Sequence, residues 1–201
     1  MLARPTPWFE NSAAGTIDVP TMPIPPFTHS GVLPPYLSSP VGHQRSPYRA
    51  TIEEFVLRFN TSDERRAILR GLLDYRAALR NVLRITEGLQ WLDGSFTEDI
   101  EASERRSPGD VDVLTIASFP PLSQLSAPQR DLLTSKHTKT LYRCDAYPLD
   151  ISRGTPLDGV TYWFSLFSHR RNGDWKGLVA VPLDAGADDL ARAAIGLEAA
   201  S

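Results

Sequence analysis

Two aspartates that are separated by a single residue, Asp110 and Asp112, are the side chains of this sequence best suited to metal chemistry. Side chains of a β-strand repeat on one face at every second residue, so both carboxylates would project to the same side. Gly94 and Ser95 stand upstream, at the end of an apolar run, and a helix that begins there would offer free N–H groups to a phosphate. Because Mg²⁺ prefers a few carboxylates together with phosphate oxygens and water, this combination predicts a magnesium–nucleotide site.

A third carboxylate on a neighbouring strand would complete such a metal site. Asp145 is the best candidate, and Asp150 is a weaker second choice. The sequence leaves an alternative open, because Arg143 would lie on the same strand face as Asp145 and could simply neutralise it.

The paired aspartates also have an ordinary structural interpretation. Asp110 could be no more than a turn residue after Gly109. Asp112 is harder to explain in that way, because it stands between two valines, and a buried acid is costly unless it is paired or bound to a metal.

The densest basic cluster of the chain lies in residues 169–176, where Arg170 and Lys176 flank Trp175. Arginine beside an indole could hold a triphosphate, stack on a base or bind the end of a nucleic acid. Arg170 and Lys176 are therefore candidate nucleotide ligands. The alternative is that the cluster is only the charged tip of a hairpin, since residues 171–174 read as a strong turn.

The order of these features resembles the nucleotidyltransferase superfamily that has a polymerase-beta-like core. The pattern of that superfamily is Gly-Ser at the start of a helix, then an acidic-x-acidic strand, then a third acidic residue on a later strand, and the match covers residues 89–145. The resemblance implies a small α/β core. It also implies that Mg²⁺ is held by Asp110, Asp112 and Asp145, and that nucleotide phosphates are contacted by Gly94 and Ser95.

More widely, the chain is similar to a family of small bacterial proteins of unknown function. The stretches that carry this similarity are residues 27–36, 46–48, 58–59, 64–66 and 90–95. It spans most of the chain but implies no activity.

From the superfamily resemblance we expect magnesium-dependent transfer of a nucleotidyl group from a nucleoside triphosphate to a protein side chain or an RNA end. Small bacterial proteins of this superfamily resemble the transferases of toxin–antitoxin and phage-defence pairs, which also implies a protein partner. One alternative is a non-catalytic protein that keeps the fold and binds a partner, as an antitoxin or regulatory subunit would. The other is a metal-dependent phosphohydrolase or nuclease that uses the same aspartates.

Composition limits the class of protein. With 201 residues, 41% hydrophobic and 22% charged, the chain fits an ordinary globular domain. A net charge of −3 gives no general electrostatic case for nucleic-acid binding, and the single cysteine, Cys144, excludes an intramolecular disulfide. There is no apolar run of about 18 residues and no secretory signal pattern, so we expect a cytoplasmic protein without a membrane span.

The elements that would position the site fall into two segments. Residues 1–48 hold ten of the 17 prolines and are expected to form a loose arm (1–19) and an extended proline-rich strap lying on the core (20–48). Residues 49–201 are expected to form a nucleotidyltransferase-like domain of the α/β (α+β) class, with a helical lead-in (49–83) and a core (84–201). That core would be a small mixed β-sheet with flanking helices.

Local patterns predict the individual elements. Capping boxes at Thr51 and Thr61 open helices over 51–59 and 62–82, and the arginines of the second helix are expected to form a solvated face. Strands are predicted over 89–92, 110–118, 139–147 and 176–183, and helices over 96–105 and from Ser126. Residues 160–168 fit a helix or a buried strand, with helix favoured, and Asp188 is expected to cap a last helix.

Overall fold

The computed structural model describes residues 24–154 and 156–197, which form a five-stranded mixed sheet and seven α-helices. This confirms the predicted α/β class with a small mixed sheet. The strands are β1 (Tyr48–Arg49), β2 (Leu89–Asp93), β3 (Val111–Ala117), β4 (Cys144–Asp150) and β5 (Val179–Pro182). The α-helices are α1 (Ile52–Phe59), α2 (Asp63–Leu83), α3 (Ile100–Glu104), α4 (Ala127–Asp131), α5 (Ser135–Tyr142), α6 (Leu157–Phe167) and α7 (Ala185–Leu197).

The sheet has the strand order β1-β5-β2-β3-β4. Strand β2 runs antiparallel to both β5 and β3, whereas β3 and β4 are parallel, as are β1 and β5. The register pairs Asp93 with Asp112 and Asp112 with Asp145, so three neighbouring strands bring one acid each to the same end of the sheet.

The helical lead-in follows from its capping residues. Thr51 begins α1 with both hydrogen bonds of a capping box, to and from Glu54. Ser62, one residue later than predicted, caps α2 by accepting from the N–H of Arg65. The predicted positions of both helices are thus confirmed to within a residue.

Apolar side chains cover both faces of the sheet, which is why the strands carry buried residues on alternating sides. On one face α1, α2 and α7 pack over a large core that includes Val111 and Val113. On the other face α6 packs over a smaller core built around Trp91, Leu114 and Phe167. The helix favoured for residues 160–168 is therefore confirmed, as α6.

The strand predicted over 139–147 is confirmed from Cys144 onward and is wrong for the residues before it. Residues up to Tyr142 belong to α5, and β4 begins only at Cys144. Arg143 separates the two elements in the left-handed conformation (φ 54°), and its N–H ends the helix by donating to the carbonyls of Lys139 and Thr138. Polar and apolar residues alternate before Cys144, which is typical of a strand, but the same residues also fit the 3.6-residue period of a helix, and a helix forms.

The predicted helix over 96–105 is also corrected. A 3-10 turn (Ser95–Thr97) is followed by the short helix α3, and Glu98 between them is extended and buried. Phe96 and Ile100 are both buried, as the pattern predicted.

Asp188 does not cap the last helix but lies inside it. Its carboxylate pairs with the guanidinium groups of Arg76 and Arg80, and Asp184 accepts the first helical N–H groups instead. The expected solvated arginine face on α2 is wrong for two of its members, since Arg65 and Arg76 are buried and pair with Glu101 and Asp188.

The N-terminal arm over 1–19 lies outside the described residues, as does the start of the strap. From residue 24 onward, Leu33 and Tyr48 are fully buried, and the Tyr48 hydroxyl donates to the carbonyl of Pro34 at 2.7 Å. The division at residue 48 stays a prediction. No helix within 24–154 or 156–197 has the length and apolar character needed to cross a bilayer.

Candidate functional site

The three acids that the register aligns lie at the ends of their strands. Asp93 is the last residue of β2, and Asp112 and Asp145 are the second residues of β3 and β4. Asp110 directly precedes β3, where the N–H of Val111 donates to the carbonyl of Arg143. Val111 is fully buried against the opposite face, so β3 leaves its alternate residues, the aspartates, for the side of α6.

Gly94 brings its backbone directly against Asp112. Its φ is +83°, and a Cβ atom added there would stand 2.7 Å from Oδ2 of Asp112. A larger residue would therefore be strained by its conformation and would collide with the carboxylate. Ser95 begins a 3-10 turn of three residues rather than the predicted helix, so the cradle of helical N–H groups expected there is not formed.

These residues open onto a cleft of about 1590 Å³ between the end of the sheet and α6. The cleft is lined on one side by the four acids and the turn after β2, and on the other by α6 and the loop that follows it. A volume of this size exceeds that of a typical small-molecule pocket, so the cleft can admit a large ligand.

Lys139 of α5 lies between Asp110 and Asp145. Its ammonium is 2.6 Å from Oδ2 of Asp110 and 3.3 Å from Oδ2 of Asp145. Ser135, one turn earlier on the same helix, donates its hydroxyl to Asp145. Arg143, by contrast, pairs with Glu64 at 3.3 Å, so it is not the residue that neutralises Asp145.

The same contacts set the charge of Asp145. Burial opposes ionisation, but hydrogen bonds from Ser135 and Tyr147 and the ammonium of Lys139 outweigh it, so the pKa of Asp145 is lowered. Asp145 is therefore ionised across the physiological pH range.

Asp112 is in the opposite situation. Burial, with the neighbouring carboxylates of Asp93, Asp145 and Asp110, raises the pKa of Asp112 to about 7. Lys176 counteracts this only in part. Within the described residues Asp112 forms no ion pair, so near neutral pH it is the acid in greatest need of an added cation.

Beneath the turn lies a buried ionic network that sequence reasoning missed. The Lys176 ammonium is 3.1 Å from Asp93, 2.8 Å from Glu98 and 3.2 Å from the carbonyl oxygen of Gly94. Arg170 donates to the other oxygen of Glu98 at 2.8 Å. Burial raises the pKa of Asp93 to about 6, which leaves it ionised at neutral pH beside Lys176.

This network changes the roles expected of Arg170 and Lys176. Both border the cleft, but both pair with Glu98, and Lys176 also contacts Asp93 and the Gly94 carbonyl, so they hold the turn in place. An unpaired Glu98 would repel a phosphate bound near Gly94 and Ser95. In the fold, however, Glu98 is neutralised by Arg170 and Lys176. A lysine that becomes buried needs acidic partners. Nothing along the chain, however, shows that the partners of residue 176 are residues 93 and 98.

The donor set of Asp110, Asp112 and Asp145 suits a hard divalent cation. A magnesium ion would be held by these carboxylates on adjacent strands, and Lys139 already places one positive charge between two of them. The described residues contain no group of three or more His, Cys, Asp or Glu side chains arranged as a ready-made metal site. The chemistry of the ligands fits, whereas their final arrangement would have to form around the ion.

The chain belongs to the family of unknown function DUF6932, whose model matches residues 25–182. This agrees with the expected similarity to an uncharacterised family over most of the chain. No curated protein and no solved structure matches the sequence, so these comparisons give the nucleotidyltransferase superfamily no support of their own.

Proposed function

We propose that this member of the DUF6932 family is a magnesium-dependent nucleotidyltransferase with a nucleotidyltransferase-like core. The observation that carries the proposal is the alignment of Asp112 with Asp145 across two parallel strands, with Asp110 beside them and the Gly94 turn packed on Asp112. These groups share one open cleft. Strand-borne acids next to a glycine turn are the arrangement that the superfamily resemblance implies.

In this proposal Asp110, Asp112 and Asp145 hold Mg²⁺. When bound, Mg²⁺ neutralises charge on the triphosphate and aligns the attacking and leaving oxygens. The acceptor hydroxyl forms a bond to the α-phosphorus, the bond to the β-phosphate breaks, pyrophosphate leaves and the hydroxyl proton passes to water. Because little covalent chemistry falls to the protein in such a reaction, its residues act mainly by positioning.

The remaining residues of the cleft are assigned by their contacts. Ser95 lies at the cleft beside Gly94, where its hydroxyl can reach a phosphate oxygen. Lys176 holds the Gly94 carbonyl and so fixes the direction of that turn. Arg171 is exposed at the rim, where it can meet a phosphate, and Tyr162 of α6 presents an exposed ring on which a base can stack.

The acceptor is proposed to be a protein side chain or an RNA end. The resemblance to transferases of toxin–antitoxin and phage-defence pairs adds a cytoplasmic setting and a protein partner to the proposal. These elements depend on family analogy alone.

A specific observation favours the alternative of a non-catalytic binding protein. Lys139 already neutralises two of the three acids, and Lys176 neutralises the acids beneath the turn. A fold that had lost catalysis could keep such ion pairs for stability.

Radiolabelled nucleoside triphosphates distinguish these functions. The purified chain would be incubated with Mg²⁺, cell lysate and each of the four triphosphates, labelled at the α- or the γ-phosphate. The proposal predicts that α-label, and not γ-label, becomes attached to a protein or RNA. Free labelled phosphate or degraded RNA would indicate the hydrolytic alternative, and no change in either label would indicate a binding protein.

Two variants make the assay specific. Asp112→Asn should abolish transfer, because it removes a charge that holds Mg²⁺ without changing the shape of the side chain. Asp158→Asn is the matched control, since Asp158 borders the same cleft but is exposed and lies on α6 rather than at the end of the sheet. Unchanged transfer in Asp112→Asn would remove this site from the reaction.

A further inference from the structure

Among the residues that the structure describes, Lys139 is the one lysine whose ammonium reaches the strand acids from the rim of the cleft. It projects from the last turn of α5 and contacts both Asp110 and Asp145, at 2.6 Å and 3.3 Å. Its side chain is 52% exposed, whereas that of Lys176 is only 4% exposed. The contact is thus a short one made by an exposed side chain that can leave it.

The position of α5 does not depend on that contact. Ser135 of the same helix also holds Asp145, and the buried hydroxyl of Thr138 accepts from the N–H of Ala146 in β4. If Lys139 swung away, these two hydrogen bonds would still hold α5 and the Asp145 carboxylate in place. The movement needs only rotation about the bonds of one flexible side chain.

The Lys139 ammonium is shared between one carboxylate oxygen of Asp110 and one of Asp145, the oxygens that a divalent cation would take. An ammonium and a divalent cation that compete for the same oxygens cannot both keep their full contacts, because they repel one another at short range.

We propose that Lys139 is a built-in counter-ion that holds Asp110 and Asp145 together while the site lacks metal and is displaced by the divalent cation. This inference rests on the proposed function, since it requires the aspartates to bind metal. Once displaced, the ammonium lies at the mouth of the cleft, where it can pair with a triphosphate oxygen. Lys139 is thus a positioning residue that couples metal binding to nucleotide binding.

Direct binding of Mn²⁺ to the purified chain tests the exchange without any substrate. The electron paramagnetic resonance signal of free Mn²⁺ would be titrated with the wild type, Lys139→Met and Lys136→Met. Lys136 is the matched control because it lies on the same helix and is exposed, without an ion pair within the described residues. Removing the competing charge should tighten Mn²⁺ binding about tenfold in Lys139→Met, and Lys136→Met should bind like the wild type.

The outcomes separate this inference from the function on which it rests. Equal or weaker binding by Lys139→Met, with clear binding by the wild type, would overturn the exchange and leave the metal site standing. Absence of Mn²⁺ binding in all variants up to millimolar concentration would overturn both. Lys139→Arg, which keeps the charge, should bind as weakly as the wild type, and tight binding by it would also contradict the exchange.

A second measurement uses the wild type alone and so does not depend on the folding of a variant. Acetylation of lysines, followed by mass spectrometry, reports how freely each amine is presented. Mn²⁺ should raise labelling of Lys139 several-fold and leave Lys136 unchanged. Equal labelling of Lys139 with and without saturating Mn²⁺ would show that the ammonium is not displaced.

Discussion

At the scale of single residues, the candidate site has more acidic side chains than basic ones to neutralise them. Of the five aspartates that border the cleft, four lie at the end of the sheet, namely Asp93, Asp110, Asp112 and Asp145, and two lysines pair with three of these four. Asp112 forms no ion pair within the described residues, so an added cation would be needed to stabilise its charge. Natural proteins accept such a cost at functional sites, where stability is exchanged for the ability to bind.

The free-energy cost of ionising Asp112 in the fold leads to a prediction about stability. The pKa of Asp112 is 3.8 in an ordinary environment and about 7 in the fold. Between about pH 4 and 7 the folded chain therefore keeps a proton that the unfolded chain has lost, so this group lowers stability as the pH rises through that window. Asp112→Asn should raise the free energy of unfolding of the metal-free protein at pH 8 by roughly 1–3 kcal/mol.

Urea unfolding in the presence of EDTA, at pH values from 4 to 8, would measure this difference. The gain of Asp112→Asn should shrink towards pH 4, where the wild-type carboxyl is itself neutral. Asp158→Asn, at an exposed position of α6, should show no such dependence. An Asn variant that is no more stable than the wild type at pH 8 would contradict the raised pKa.

Sequence alone could find Asp110, Asp112 and Asp145, because a strand period and acids between apolar residues are local signals. It could not find Lys139, since that lysine was assigned to a strand. Nor could it show that Lys176 serves the turn rather than the cleft, because both of its carboxylate partners are about 80 residues away in the chain.

At the scale of elements, the site is assembled by the contact between α2 and α5. A Cβ atom on Gly71 of α2 would overlap the carbonyl oxygen of Tyr142, at the end of α5. The absence of a side chain there lets the last turn of α5 lie directly against α2. That turn carries Lys139 and leads into β4 and Asp145, so the close approach places two members of the site.

Gly71→Ala should therefore destabilise the protein by about 1–3 kcal/mol, because the added methyl group must push the two helices apart. The matched control is Gly196→Ala in α7, where an added Cβ would meet nothing. Since alanine is the better helix former, the control should be neutral or stabilising by up to about 1 kcal/mol. Thermal or urea unfolding would compare the two, and an equal effect of both substitutions would contradict the tight helix contact.

The elements differ in how well the sequence predicts them. Helices α1 and α2 follow from capping residues and an apolar stripe, and both are found where predicted. The strand prediction fails before β4 because the eight residues of α5, which are of mixed polarity, fit both a helical and a strand period. The helix ends at Arg143, which has the left-handed conformation. Asp188 fails as a cap because its tertiary partners, Arg76 and Arg80, outweigh a local signal.

At the scale of the whole molecule, one sheet divides a large core from a smaller one, and the acids lie at its end beside the smaller core. The buried guanidinium of Arg76 ties α2 to Asp188 of α7 at 2.7 Å and to Gln90 of β2 at 2.7 Å. These contacts tie α2 and α7 to β2, the strand that ends at Asp93. The fold class was predictable from the alternation of strands and helices, whereas the strand order was not, because β5 joins the sheet between β1 and β2 from far along the chain.

Binding of metal should therefore be visible in global stability. If the aspartates take up Mg²⁺, the melting temperature at pH 7.5 should rise with Mg²⁺ concentration, since a ligand of the folded state alone stabilises by about 2.7 kcal/mol at one hundred times its dissociation constant. A nucleoside triphosphate should add to the shift only when Mg²⁺ is present.

Differential scanning fluorimetry at constant ionic strength would record these shifts, with KCl as the control for screening. Asp112→Asn should lose most of the response to Mg²⁺. An identical Mg²⁺ response in wild type and Asp112→Asn would assign the effect to some other part of the molecule.

The most direct test of the central claim is a crystal grown with Mn²⁺ and a non-hydrolysable nucleoside triphosphate, with anomalous diffraction used to locate the metal. The account predicts an anomalous peak within coordination distance of Asp110, Asp112 and Asp145, the triphosphate against the Gly94 turn, and the Lys139 ammonium moved away from the acids. A cleft with no anomalous peak at these carboxylates, under conditions in which Mn²⁺ and nucleotide are in large excess, would contradict it.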